Sequence, residues 1–201
     1  MRTCTCPVGT YLTSIGTLTC PESFGQTQKL IFQRKAASAT GYGSVSTVIV
    51  LATWTTLKAA TDDTKAIITP FVSGVTSEVG KAKEFGSGNE VRNGIPIIFG
   101  CDPTKVTVKL YEYPESLIRN MKLLACEALE VGFINENGHF GLNVSGAVYH
   151  GFPIQSLFIS DRKLGGFDEP DYHEMTFSLA ANWSDYFTIV NPTANFSALD
   201  L

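Results

Sequence analysis

Cys4 and Cys6, with Cys20 beyond them, are the side chains in this sequence best suited to holding a metal. Zinc knuckles space paired thiolates by two to four residues and take four ligands, so a single intervening residue is too tight. An N-terminal segment that happens to carry cysteines is the simpler reading. The histidines are His139, His150 and His173. His139 follows Asn137-Gly138, which suits an exposed turn. His173-Glu174 opens an apolar run and lacks the second histidine that a helical zinc motif requires. None has an acid–base partner at a telling spacing. Phe85-Gly86-Ser87-Gly88-Asn89 is glycine-rich, but a phosphate loop needs a strand before it, a helix after it and usually a lysine. A loop apex is the plainer reading. Asp161, Asp168, Glu169 and Asp171 share one turn-rich segment and could bind Ca²⁺, although their spacing matches no EF-hand. The default there is a solvated, turn-forming loop. No G-x-S-x-G elbow occurs. Asn143, Asn182 and Asn195 begin Asn-x-Ser sequons, which matter only on a secretory route, and the start MRTCTCPVGT has no long apolar stretch to serve as a leader. No catalytic, cofactor-binding or metal-binding residue is therefore assigned, no cofactor is expected, and the chain reads as a non-enzyme.

The elements that would position such residues are β-rich. A hydrophobic fraction of 44% against 17% charged excludes wholesale disorder. The 201 residues suffice for one domain with a proper core. Thirteen Phe and seven Tyr favour pleated sheets, where flat side chains pack across strands. A formal charge of −4 and no basic run longer than two residues exclude a protein that grips nucleic acid. A mildly acidic wall can still line a channel through which DNA slides. The most apolar stretch, 45–54, is far shorter than the roughly twenty residues a bilayer span takes. Five cysteines, an odd number, imply a reducing compartment and free thiols, with Cys101 and Cys126 buried as small hydrophobes.

Along the chain, residues 1–28 read as an N-terminal arm, 29–192 as a single β-rich domain and 193–201 as an extended C-terminal tail. Strands are expected at 29–33, 45–51, 65–71, 95–99, 154–160, 174–180 and 186–190, and a short helix at 52–60. Residues 105–113 alternate cleanly, with Val106, Val108 and Leu110 on one face, as a half-buried antiparallel strand does. Pro114 opens a helix to residue 127, with Leu117, Met121, Leu124 and Ala128 as its stripe and Ile118 and Ala125 beside it. Residues 130–144 form a hairpin whose Asn137-Gly138 pair suits a type I′ turn. The polar, Gly-rich run 72–93 shows no alternation and reads as a long loop that docks on a neighbouring subunit. The architecture implied is α+β, mainly β: an antiparallel sandwich or barrel with one flanking helix and long loops and arms.

Several strings resemble one group of proteins: TCPESFGQ at 19–26, IFQR at 31–34, FGSGNEVRNGIPIIFG at 85–100, LEVGFINENG at 129–138 and NWSDYF at 182–187. They resemble structural virion proteins of tailed phages of Bacteroidetes, including crAss-like phages, over most of the chain. The resemblance implies a tail-tube-like fold and a tail or neck protein made in the host cytoplasm. It implies self-association into a ring, six- or twelve-fold, beside adjacent tail or neck proteins, with DNA only as a transient passenger in the lumen and no membrane. Because the arm shows no period with which to build an element of its own, partner subunits are expected to bury Tyr11, Leu12, Ile15, Leu18 and Phe24, an added strand on the chain's own sheet being the alternative. A capsid decoration or host-binding module is the alternative, and it would expose an aromatic patch drawn from Trp54, Tyr149 and Trp183.

Overall fold

Two strands, Thr27–Arg34 and Leu129–Asn135, stand at the centre of the molecule with most of their residues buried, polar ones included, because both of their faces are covered. The computed structural model describes residues 23–35, 41–86, 96–193 and 195–201. In chain order the strands are β1 (Thr27–Arg34), β2 (Gly43–Ser44), β3 (Ile67–Ile68), β4 (Ser73–Glu78), β5 (Ala82–Phe85), β6 (Ile97–Cys101), β7 (Thr104–Tyr111), β8 (Leu129–Asn135), β9 (Phe140–Ser145), β10 (Val148–His150), β11 (Phe152–Ile159), β12 (Tyr172–Leu179) and β13 (Phe187–Val190). The helices are α1 (Val45–Val48), α2 (Leu51–Ala59) and α3 (Glu115–Leu124).

β1 lies antiparallel to β8 along its whole length, from Thr27↔Asn135 to Arg34↔Leu129. β8 in turn pairs β9, and β9 carries β13 and β10. A second sheet runs β4-β7-β12-β11. The two sheets share β11. Its first residues pair with β8 (Phe152↔Val131) and the rest pair with β12 (Ile154↔Leu179). The bend before β11 falls at Gly151, where an added Cβ would stand 2.7 Å from the Glu130 Cβ and 2.9 Å from the Tyr42 hydroxyl. Only glycine fits there.

Alternation along β1 and β8 divides the interior in two. Leu30, Phe32, Val131 and Phe133 face the second sheet and meet Val106, Val108, Leu110, Met175 and Phe177. Ile31 and Ile134 face the other way, onto Trp54, Val48, Tyr42, Phe140 and Leu142. The layers are therefore sheet, sheet and helix α2. The helix α3 closes the end of the first core with Ile118 and Met121. This is the mostly antiparallel α+β architecture expected from the sequence.

The structure corrects several local expectations. Residues 45–51, β-branched and expected as a strand, form α1 and open α2. The Trp54 indole N–H donates to the Val48 carbonyl at 2.8 Å, and burying that ring outweighs local β propensity. The short helix expected at 52–60 is α2, Leu51–Ala59. Residues 65–71 supply only the pair Ile67–Ile68, because Pro70 cannot continue the ladder. Thr69 still meets Leu30 with both groups, its N–H donating to the Leu30 carbonyl and its Oγ1 accepting from the Leu30 N–H, each at 2.9 Å. The β8–β9 turn is not type I′: Gly138 has a positive φ of 74° and Asn137 does not. The side chain of Asn135 holds this turn, its Oδ1 accepting from the N–H groups of Asn137 (3.0 Å) and His139 (2.8 Å).

The C-terminal tail is docked rather than extended. Ala198 is fully buried, Phe196 packs on Phe140, and Lys29 donates to the Leu199 carbonyl at 2.7 Å. Phe24 packs on its own chain's Phe187, centroids 5.3 Å apart, so for this residue the expected partner is intramolecular. The rest of the expected arm, including Tyr11, Leu12, Ile15, Leu18 and the Cys4/Cys6/Cys20 set, lies outside the described residues. Cys101 and Cys126 are exposed, not buried. β6 has no layer over it, and α3 stops at Leu124, leaving Cys126 in the turn that follows. The stripe of α3 is turned slightly from expectation: Ile118 and Met121 are buried, with Leu117 and Leu124 at its margins.

Candidate assembly surface

Residues 72–93, expected as a structureless loop, contribute β4 and β5, and 87–93 lie outside the described residues. β4 pairs β7, with Glu78 opposite Lys105, and β5 pairs β6, with Ala82 opposite Cys101 and Phe85 opposite Ile97. Together they make one long hairpin. Its inner half belongs to the second sheet and its outer half is a free two-stranded ribbon. The join is fixed by the Asp102 N–H donating to the Lys81 carbonyl at 2.9 Å. A Cβ at Gly80 would stand 1.8 Å from the Asp102 carbonyl oxygen, so the close crossing needs glycine. Lys83 adds an ion pair to Asp102 at 2.9 Å, which holds the ammonium proton more tightly than usual.

Every residue of β5 and β6 is exposed. The ribbon nonetheless carries Phe85, Ile97, Ile98 and Phe99, each more than half exposed, with Val79 at its base. Phe99 is the extra residue of a bulge, since Lys83 pairs Gly100 and Glu84 pairs Ile98. Together these side chains hold on the order of 500 Å² of apolar surface in water, toward the top of the about 300–600 Å² that free monomers tolerate.

A second feature lies where the ribbon leaves the body. Val75 and Ser77 of β4, Val106 of β7, Phe133 of β8, Phe24, Trp183 and Phe187 line a groove of about 300 Å³. Its floor is an aromatic stack. Phe152 meets Trp183 edge-on at 5.0 Å and lies flat on Phe187 at 5.6 Å. Trp183 is presented by a one-turn 3-10 helix, Trp183–Tyr186, entered through Asn182 at φ 61°. Glu136, whose carboxylate lies close to Gly25, brings negative charge beside the groove.

The other residues singled out by type are dispersed. His139 sits after the β8–β9 turn, His150 ends β10, and His173 is buried in β12 with Nδ1 3.1 Å from the Ser160 carbonyl. The carboxylates of the 160–171 loop point to separate partners. Glu169 accepts from Lys109 (2.7 Å) and Tyr111 (2.8 Å), which draws its pKa below the usual range. Asp161 pairs Lys122 at 2.8 Å, and Asp171 accepts from the Gly165 N–H at 2.7 Å. Among the described residues no three His, Cys, Asp or Glu side chains converge as metal ligands. Most of Phe85–Asn89 lies outside the described residues. Trp54 and Tyr149, named for an exposed aromatic patch under the alternative reading, are buried in the second core, where Trp54 packs between Tyr42 and Phe140. Trp183 is half-buried in the groove. Among the described residues no helix is long and apolar enough to cross a membrane.

No family model matches the chain, and no curated protein matches it. Among solved structures, a chain from the tail of an empty GTA particle, determined by helical refinement with C6 symmetry, is similar at 11% identity and a TM-score of 0.31, over 56% of this chain and 84% of that one.

Proposed function

We propose that this chain is a non-enzymatic virion structural protein, a subunit of a phage tail tube or of a neck or tail ring that closes around a DNA-conducting lumen. The observation that carries the reading is the ribbon. A two-stranded projection that exposes Phe85, Ile97, Ile98 and Phe99 needs cover, and a self-assembling subunit supplies it from the next copy. The sequence resemblance to tail and neck proteins and the layered antiparallel fold agree with this reading. The net charge of −4 suits a lumen wall that passes DNA without holding it. Native mass spectrometry of the purified full chain tests the proposal. Closed rings of about six or twelve copies are expected, and a protein that stays monomeric at high micromolar concentration would rule the reading out.

A second reading, capsid decoration or host binding, draws on the 160–171 loop, which holds Leu164 and Phe167 in solvent. Trimers in the same measurement favour it.

A further inference from the structure

We infer that the carboxyl of Glu130 keeps its proton in the folded chain and donates it to the side-chain oxygen of Gln33, and that losing the proton turns the Gln33 amide over and frees the turn at Asp62–Thr64 from the sheet. Glu130 on β8 and Gln33 on β1 are direct cross-strand partners. Such partners share a face and bring their Cβ atoms to about 4.5–5.5 Å. The shared face is the one that carries Ile31 toward Tyr42 and Trp54. Both side chains are out of water, Gln33 at 1% exposure and Glu130 at 9%.

Gln33 fixes the polarity of the pair. One end of its amide lies 2.6 Å from the Thr64 carbonyl, which can only accept, so that end is Nε2. The other end, Oε1, is buried and has no donor. A charged carboxylate opposite would set lone pairs against it, whereas a protonated one supplies the missing O–H. Burial pushes the Glu130 carboxyl up to about 7, against the pull of Lys35 and of the Gly151 N–H. The groups around the pair leave that position open. The Tyr42 hydroxyl is turned to the Ile31 carbonyl at 3.5 Å, and Lys35 at the end of β1 is exposed. Burial lowers the pKa of His150, beside Gly151, so it brings no positive charge near neutrality. Pro153, opposite Glu130 on β11, has no charge, and Arg34 is held by Asp63 and Glu127.

When the proton leaves to solvent, two acceptors face each other. Turning the Gln33 amide over gives its Nε2 to the carboxylate. Its Oε1 then meets the Thr64 carbonyl, and the tie at 2.6 Å becomes a repulsion. The turn keeps its own shape, because Asp62 Oδ1 accepts from the Thr64 N–H at 2.9 Å and the Asp62 carbonyl accepts from the Lys65 N–H at 3.2 Å. It therefore lifts as one piece, with the exposed Arg34–Asp63 ion pair still in place.

Side-chain NMR of the full chain reads the pair directly. The carboxyl carbon of Glu130 should titrate with a midpoint of about 7, and the side-chain amide signals of Gln33 should move with it. Hydrogen exchange across 61–66, corrected for its intrinsic pH dependence, should rise about fivefold through the same midpoint, the worth of one lost hydrogen bond. Glu130→Gln donates by its amide at any pH and should hold exchange low throughout. Gln33→Met removes the tie and should hold exchange high throughout. Gln33 signals that stay fixed while Glu130 titrates would mean that an ordered water satisfies Oε1, and they overturn the pair. So does a Glu130 carboxyl that titrates near its ordinary 4.5. A Gln33 that responds while exchange at 61–66 stays flat overturns the switch. The titration needs no variant, so a substitution that fails to fold does not shield the inference.

Discussion

Trp54 lies flat on Phe140, ring centroids 4.6 Å apart and planes 17° from parallel, and this contact joins helix α2 to the outer face of the first sheet. Trp54 is fully buried, so Trp54→Ala should cost about 3–5 kcal/mol, the usual penalty for emptying a large aromatic site. Trp54→Phe keeps a ring but leaves the Val48 carbonyl without its donor, and about 1–3 kcal/mol is expected. Urea unfolding midpoints rank the two. Equal midpoints for both variants would show that the hydrogen bond carries the whole effect.

Helix α3 makes a second, directional prediction. Ile118 is fully buried and Leu123 is 68% exposed on the same helix. Ile118→Ala should destabilise the subunit by about 2–5 kcal/mol, whereas Leu123→Ala should stay within about 0.5 kcal/mol. Comparable losses at both positions would mean that a neighbouring subunit covers Leu123.

Glu130 sets a pH dependence. Burial pushes its carboxyl up to about 7, partly offset by Lys35. A raised carboxyl pKa favours the protonated folded state. Stability from this group is full below the unfolded value near 4.5 and is lost as pH rises through about 7. Solvent screening at the side chain's open edge holds the effect to about 1–2 kcal/mol. In thermal melts between pH 4.5 and 7.5, Glu130→Gln should flatten the slope. An unchanged slope would assign the titration to another group.

The hairpin can be short-circuited. Lys81 and Asp102 already face each other across it, so replacing residues 82–101 with an Asn-Gly turn should leave a folded subunit. That variant should remain monomeric by light scattering. Full-size assemblies from it would show that the ribbon is dispensable.

Legibility in the sequence followed the presence of a buried face. β7 alternates between core and solvent, so Val106, Val108 and Leu110 announced it, and the β8–β9 hairpin was equally plain. β4 and β5 carry no alternation because β4 is an exposed edge strand and the ribbon buries neither face. The same fact inverted the reading of the strand expected at 95–99: its described part, Ile97 to Phe99, looks like a core strand and here faces water. The groove was invisible because it is assembled from positions 24, 75–77, 106, 133 and 183–187, which only the fold brings together. The one local hint was the aromatic spacing of Trp183, Tyr186 and Phe187 within NWSDYF.

The strand shared by both sheets bears on how this chain carries load. A pull on a ribbon enters β4 and β7 along their axes. From β7 it passes to β12 through eight paired residues, then to β11, and through Phe152↔Val131 into β8 and β1. At each step the hydrogen bonds lie across the direction of pull and resist together rather than opening one after another. Tension entering at the ribbon is thus spread through both layers of the molecule, and a bond that breaks at one rung leaves its neighbours to hold the strain.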